Sequence, residues 1–104
     1  MTTREKVLNQ NKVARLTEIS KVIKDGDSVA IGGAWLSSHP MALVRQIIRS
    51  GIKNLHVMTI LGSVDIDMMI GAGCVERLMF SFVSMEAYGL PLNFRRAIEK
   101  GNLN

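Results

Sequence analysis

Apolar positions fall in short blocks along the chain, and the blocks change period. Val29-Ala30-Ile31 is an unbroken apolar run, which predicts a buried strand over 28–31. Met41, Leu43, Val44, Ile47 and Ile48 recur every three to four residues, with Arg45 and Arg49 on the wet side, so a helix follows. Ser38 or His39 supplies its cap, Pro40 its first turn and Ser50-Gly51 its end. "LHVMTI" predicts a strand over 55–60, and Gly62 turns the chain. Asp65 opens a short helix that ends at Gly71, "RLMFSFV" gives a strand over 77–83, and a helix over 92–100 closes at Gly101. Before all of these, Thr17 caps a helix to about Lys24, with Ile19, Val22 and Ile23 on one face and Asp25-Gly26 ending it. Residues 1–14 show weak periodicity, as in a frayed lead or a loose helix.

Strands that alternate with helices imply an α/β fold, a parallel open sheet with helices on both faces. Ligands in such sheets sit at the carboxyl ends of the strands. Gly32-Gly33, Gly62-Ser63 and Val83-Ser84 all fall at that edge. At 104 residues there is room for one domain, 1–104, with residues 1–15 as a basic lead-in.

Charge changes the picture only after it is located. The net charge of +4 invites a nucleic-acid reading. Residues 1–24 carry six basic and two acidic side chains, whereas residues 25–104 carry seven of each. The excess is a solvated lead-in without a basic stripe or matching aromatics, so no nucleic-acid partner is read. With 47% hydrophobic residues the chain forms a core, and no apolar run has the ~18 residues of a membrane span. No early apolar run suggests a signal peptide, and the default location is cytoplasmic. Cys74 is the only cysteine, which excludes an intrachain disulfide and a Cys/His metal cluster.

Each candidate chemical group has a plain structural alternative. Gly32-Gly33 either exposes backbone N–H groups to a ligand oxygen or serves tight helix–strand packing. The dinucleotide fingerprint and the phosphate-loop Lys are both absent. Trp35 walls a pocket or covers the core. Ser37 and Ser38 donate to a ligand, or one of them caps the helix. His39 sits near the strand edge, and His56 lies within an apolar strand as a satisfied sheet residue. Asp65 and Asp67 charge the first turn of a helix. Cys74 reads as a buried, inert thiol, because no positive neighbour is evident to activate it. Glu86 follows the third strand, where a carboxylate acts as base or nucleophile or else anchors the loop. No Ser-His-Asp arrangement assembles. The residues alone lead to a small-molecule site on an α/β scaffold with no convincing catalytic group.

The stretch "DGDSVAIGGAWLSSHPMALVRQIIRSGIKNLHVMT" resembles the first signature of family I coenzyme A transferases, as found in their A-type subunits of the glutaconate CoA-transferase kind. Asp25-Gly26, Val29-Ala30-Ile31, Gly32-Gly33 and Pro40 match the signature. Ala34 stands where it has Phe, and Ser38 where it has Gly. The similarity continues through "MIGAGCVERLMFSFVSMEAYGLPLNFRRAIEKGNLN" and covers roughly residues 16–104. "FVSME" and the Trp beside the glycines also resemble CoA-ester ring hydrolases of the same superfamily.

The resemblance implies a scaffold and acyl-CoA pocket shared with a B-type subunit, in a hetero-oligomer or by self-association. It implies a CoA thioester as substrate, a carboxylic acid as the second reactant and no permanently bound cofactor or metal. The pocket residues it implies are Gly32, Gly33, Trp35, Ser37, Ser38, Ser84 and Glu86. The family's nucleophile is a glutamate in a Ser-Glu-Asn-Gly type motif of the B-type subunit. That motif is missing from this sequence, so no catalytic residue is assigned. Family subunits are longer, so the resemblance also implies an amino-terminal portion, a fragment or truncated product, inactive alone. Two other readings remain open: part of a CoA-ester ring hydrolase, and a non-catalytic acyl-CoA-binding or assembly domain. The acyl group itself is left open.

Overall fold

A computed structural model of the chain describes residues 13–104. Residues 1–12, most of the lead-in, lie outside the described residues. A single 3-10 turn, Leu16–Glu18, runs into the four-residue helix α1, Ile19–Val22. This is shorter than the helix expected to reach Lys24, and Thr17 does not cap it. The carboxylate of Glu18 instead reaches back to the Arg15 N–H at 2.9 Å.

From there the elements follow the expected order. They are β1 (Ser28–Ala30), α2 (Met41–Arg49), β2 (Leu55–Gly62), α3 (Val64–Gly71), β3 (Val75–Val83) and α4 (Leu92–Lys100). The strands lie side by side as β1-β2-β3, and both pairings are parallel. Val29 stands opposite Val57, and Thr59 opposite Phe80. β2 and β3 each extend two residues beyond the expected strand at one end, because parallel pairing supplies hydrogen bonds that residue pattern alone does not reveal.

One core forms where alternate β2 residues meet the helices. Leu55 and Val57 of β2, Val44 and Ile47 of α2, Ile66 and Met69 of α3, and Phe94 of α4 are all buried in it. α2 has its arginines on the wet side as its stripe requires, although Leu43 stays partly exposed. Gly101 closes α4 in a left-handed conformation at φ +68°, where a Cβ would be strained.

The described helices cover one face of the sheet. On the other face Met58, Ile60 and Met79 are exposed, where the sequence pattern anticipates a second helical layer. Parallel strands carry apolar residues on both faces, so the pattern registers a face that the described residues leave open. Asn104 lies along the outer edge of β3. Its N–H donates to the Glu76 carbonyl at 3.3 Å, and its carbonyl accepts from Leu78 at 2.8 Å, which is a parallel strand pattern.

Candidate active site

The carboxyl edge of the sheet is built around the end of β2. Sequence reading ends the first strand at Gly32-Gly33, but the pairing with β2 resumes beyond it. Ala30 pairs with Met58, and Ala34 forms a parallel bridge with Leu61. Four residues on this side therefore span three on β2, so the glycines form a bulge. Ile31 N–H still donates to Met58 at 2.9 Å, and Trp35 N–H donates to Leu61 at 3.0 Å. Between them, the N–H groups of Gly32 and Gly33 meet no acceptor among the described residues. Both are donors available at this edge for a ligand oxygen.

Gly33 adopts φ +117°, and an added Cβ would lie 2.4 Å from Nδ1 of His39. The packing alternative therefore explains Gly33 by itself. Gly32 has open space around it and no such constraint. A trough of about 520 Å³ opens beside the bulge on the uncovered sheet face, with Met58, Ile60 and Met79 in its apolar wall.

Trp35 and Ser84 flank the end of β2 from opposite sides. Ser84 N–H donates to Gly62 at 3.0 Å. The indole packs against Phe82 with ring centroids 5.9 Å apart, so β3 supports the Trp35 side chain. Ser37 donates its hydroxyl to the Ala34 carbonyl at 3.2 Å. Ser38 is exposed. Neither Ser38 nor His39 caps α2; Pro40 holds the cap position without a side-chain bond, since its ring fixes the backbone there. On the other side Ser84 Oγ accepts from Glu86 N–H at 3.0 Å, which anchors the turn Glu86–Tyr88. The Glu86 carboxylate has no partner among the described residues. Trp35, Ser38 and Glu86 all have positive φ, at 53°, 63° and 52°. Non-glycine residues seldom sit in this region, and it recurs at functional sites.

The structure thus collects the seven sequence-predicted residues along one edge, in two groups. Gly32, Gly33, Trp35, Ser37 and Ser38 lie on the β1 side, and Ser84 and Glu86 lie on the β3 side. Residue pattern missed the role of His39. Its ring is almost wholly buried, with Nδ1 2.9 Å from Asp65 Oδ2 and 3.1 Å from the Gly32 carbonyl. Nε2 faces the Trp35 carbonyl. No ring nitrogen is left for a substrate. A signal existed in the pairing of a lone His after a Gly-Gly turn with an Asp just after the next strand, although residue type alone does not choose between Asp65 and Asp67.

The other polar candidates serve structure. Asp67 does not simply charge its own helix; its Oδ1 accepts from the Phe94 N–H at 2.9 Å, so it caps α4. Asn93 Nδ2 reaches its other oxygen at 3.2 Å. His56 is half-exposed and pairs with Glu76 at 2.9 Å. Cys74 is buried, and burial pushes its thiol up from the ordinary value. A positive neighbour does exist: the Lys53 charge acts in the opposite direction, with the smaller effect. Among the described residues no group of three His, Cys, Asp or Glu side chains forms a metal site, and no helix is long and apolar enough to cross a membrane.

The family model described as coenzyme A transferase matches residues 14–104. The chain belongs to the coenzyme A transferase family. This transferase-family chain is 36% identical over 83 residues to the A-type subunit of the 3-oxoadipate CoA-transferase of Pseudomonas knackmussii, covering 80% of this chain and 29% of the relative. It is 32% identical over 81 residues to a protein named cholesterol ring-cleaving hydrolase IpdA subunit from Rhodococcus jostii, covering 78% and 27%. The crystal structure of glutaconate coenzyme A-transferase from Acidaminococcus fermentans superposes with a TM-score of 0.81 at 31% identity. That match covers 89% of this chain and 30% of the solved one. The chain spans less than a third of the length of each of these proteins. The parallel α/β architecture and the likeness to A-type transferase subunits both stand.

Proposed function

We propose that this chain contributes the acyl-CoA pocket of a CoA transferase, acting in the cytoplasm with a B-type subunit. The reaction moves CoA from an acyl-CoA to a carboxylic acid, and CoA enters as a thioester substrate. The observation that carries this reading is the Gly32-Gly33 bulge, with two N–H groups that meet no acceptor, at the ligand-binding edge of a transferase-family sheet. Such donors suit a thioester carbonyl, whose oxygen gains negative charge as a nucleophile adds. Trp35, Ser37 and Ser38 form one wall of the pocket, and Ser84 and Glu86 the other.

The partner supplies the nucleophilic glutamate. Its carboxylate attacks the thioester carbonyl, and the CoA thiolate leaves a mixed anhydride. The thiolate then attacks the glutamyl carbonyl, expels the acyl carboxylate and gives an enzyme–CoA thioester. An incoming carboxylate reverses these steps. Glu86 is read as a wall residue and not as the nucleophile, a role that this reading gives to the partner's glutamate.

Co-purification with a B-type partner, followed by incubation with acyl-CoA plus acetate, tests this. The expected product is acetyl-CoA, with CoA trapped on a glutamate of the partner. A CoA adduct on Glu86 of the chain alone, seen by mass spectrometry, would overturn the division of labour. The hydrolase name of the Rhodococcus relative favours a second reading. Ring opening that consumes water, without CoA exchange, would establish it. Acyl-CoA binding with neither reaction, even with the partner present, would establish a non-catalytic binding domain.

A further inference from the structure

The geometry points to His39 as a positioning residue that holds the Gly32-Gly33 bulge in its donor-exposing shape. The strand ladder fixes the flanks of the bulge at Ile31 and Trp35, but Gly32 and Gly33 themselves donate to nothing in it. What spans it is the imidazole. Nδ1 lies 3.1 Å from the carbonyl of Gly32, and Nε2 bonds the carbonyl of Trp35, so the ring bridges the two ends of the bulge. The ring also presses against Gly33, close enough that a Cβ there would collide with three ring atoms.

The ring in turn rests on the start of α3. Asp65 Oδ2 lies 2.9 Å from Nδ1 without the alignment of a hydrogen bond, and it has no hydrogen-bond partner among the described residues. The other Asp65 oxygen accepts from the Ser63 N–H at 2.9 Å, which fixes the carboxylate on the turn after β2. Both side chains are nearly or fully buried. An imidazole nitrogen donates to a carbonyl only when it carries a proton. Both nitrogens face carbonyls, so the two carbonyl contacts are both hydrogen bonds only when each nitrogen carries a proton, while the Asp65 carboxylate lies against the ring without an aligned hydrogen bond. A buried pair of this kind is costly to break from one side, which makes it a rigid tie.

The consequence is directional. The Gly32 carbonyl shares a planar trans peptide with the Gly33 N–H, so turning that carbonyl inward to the ring points the Gly33 N–H the opposite way, and the Gly32 N–H beside it is also left unpaired at the sheet edge. His39 therefore acts through the backbone and does not touch substrate. Its functional importance rests on the acyl-pocket reading above; the tie itself does not.

The test uses the 15N-labelled full chain without ligand. Long-range nitrogen–proton correlations of His39 are expected to show protons on both ring nitrogens, exchanging slowly. A bare ring nitrogen would overturn the proposal, and this measurement needs no variant. His39→Gln, which keeps one donor group, and Asp65→Asn, which keeps the shape without the charge, should both shift the Gly32 and Gly33 amide resonances. The Gly101 amide on α4 should not change. Bulge amides that stay put in both folded variants would also overturn it. In the complex with the B-type partner, His39→Gln should lower kcat for acyl transfer more than it raises KM; the reverse split would count against positioning. If the wild-type complex binds no acyl-CoA while the bulge amides respond as expected, the pocket reading fails and the positioning role stands.

Discussion

Replacing Gly33 with Ala while replacing Gly32 with Ala in parallel separates two neighbours that residue type alone cannot distinguish. Gly33 sits at φ +117°, and its added Cβ would fall 2.4–2.8 Å from three atoms of the His39 ring. Holding a non-glycine residue in such a conformation costs about 1–3 kcal/mol. The ring can retreat only by giving up a carbonyl, and a buried hydrogen-bonding group left unpaired costs about 1–3 kcal/mol more. Gly33→Ala should therefore destabilise the chain by about 2–6 kcal/mol, against a total of only ~5–15 kcal/mol for a domain. At about 4–8 °C per kcal/mol for a chain of this size, the midpoint falls by roughly 10 °C or more. Gly32 has no positive φ and nothing within 4 Å of a Cβ, so Gly32→Ala should stay within about 0.5 kcal/mol of the native chain. Urea titrations followed by far-UV circular dichroism measure both. Equal midpoints for the two variants would refute the packing account of Gly33 and the ring geometry behind it.

Asp67→Ala removes the acceptor that caps α4 from outside the helix and should cost about 1–2 kcal/mol, with amide exchange rising first at Phe94; unchanged exchange there would contradict the capping role. The Cys74 thiol is raised by burial, so the unfolded chain loses that proton first as pH climbs. Its contribution is complete below the ordinary thiol value and declines above it. Urea midpoints of the native chain should fall through that alkaline range, and those of Cys74→Ala should fall less; parallel curves would count against it. Ile60 and Met79 are 71% and 70% exposed on the open face, so replacing both with Thr should leave stability nearly unchanged and weaken self-association in sedimentation runs. Identical association would show that the face is not the contact.

The order of elements was legible because period changes and turn residues coincide. Leu92 to Gly101 reads as a helix with its stop, since the apolar spacing and the left-handed glycine agree. The bulge was not legible. Gly-Gly reads as a strand end, and only the pairing of Ala34 with Leu61, a tertiary contact, shows that the ladder resumes. Asp65 and Asp67 look alike in sequence and do different things: one lies buried beneath the His39 ring, and the other caps a helix that begins far along the chain. The seven residues proposed for the pocket were gathered by the resemblance and by the rule of the carboxyl edge. Their division into two groups depends on which strands flank β2.

The central claim is that an acyl-CoA carbonyl meets the Gly32-Gly33 bulge. Amide spectra of the 15N-labelled chain bound to its B-type partner, with and without a non-hydrolysable acyl-CoA analogue, test it most directly. The account predicts that the Gly32 and Gly33 amide protons move downfield and become protected from exchange when the analogue binds. Binding that leaves both amides unmoved would contradict it.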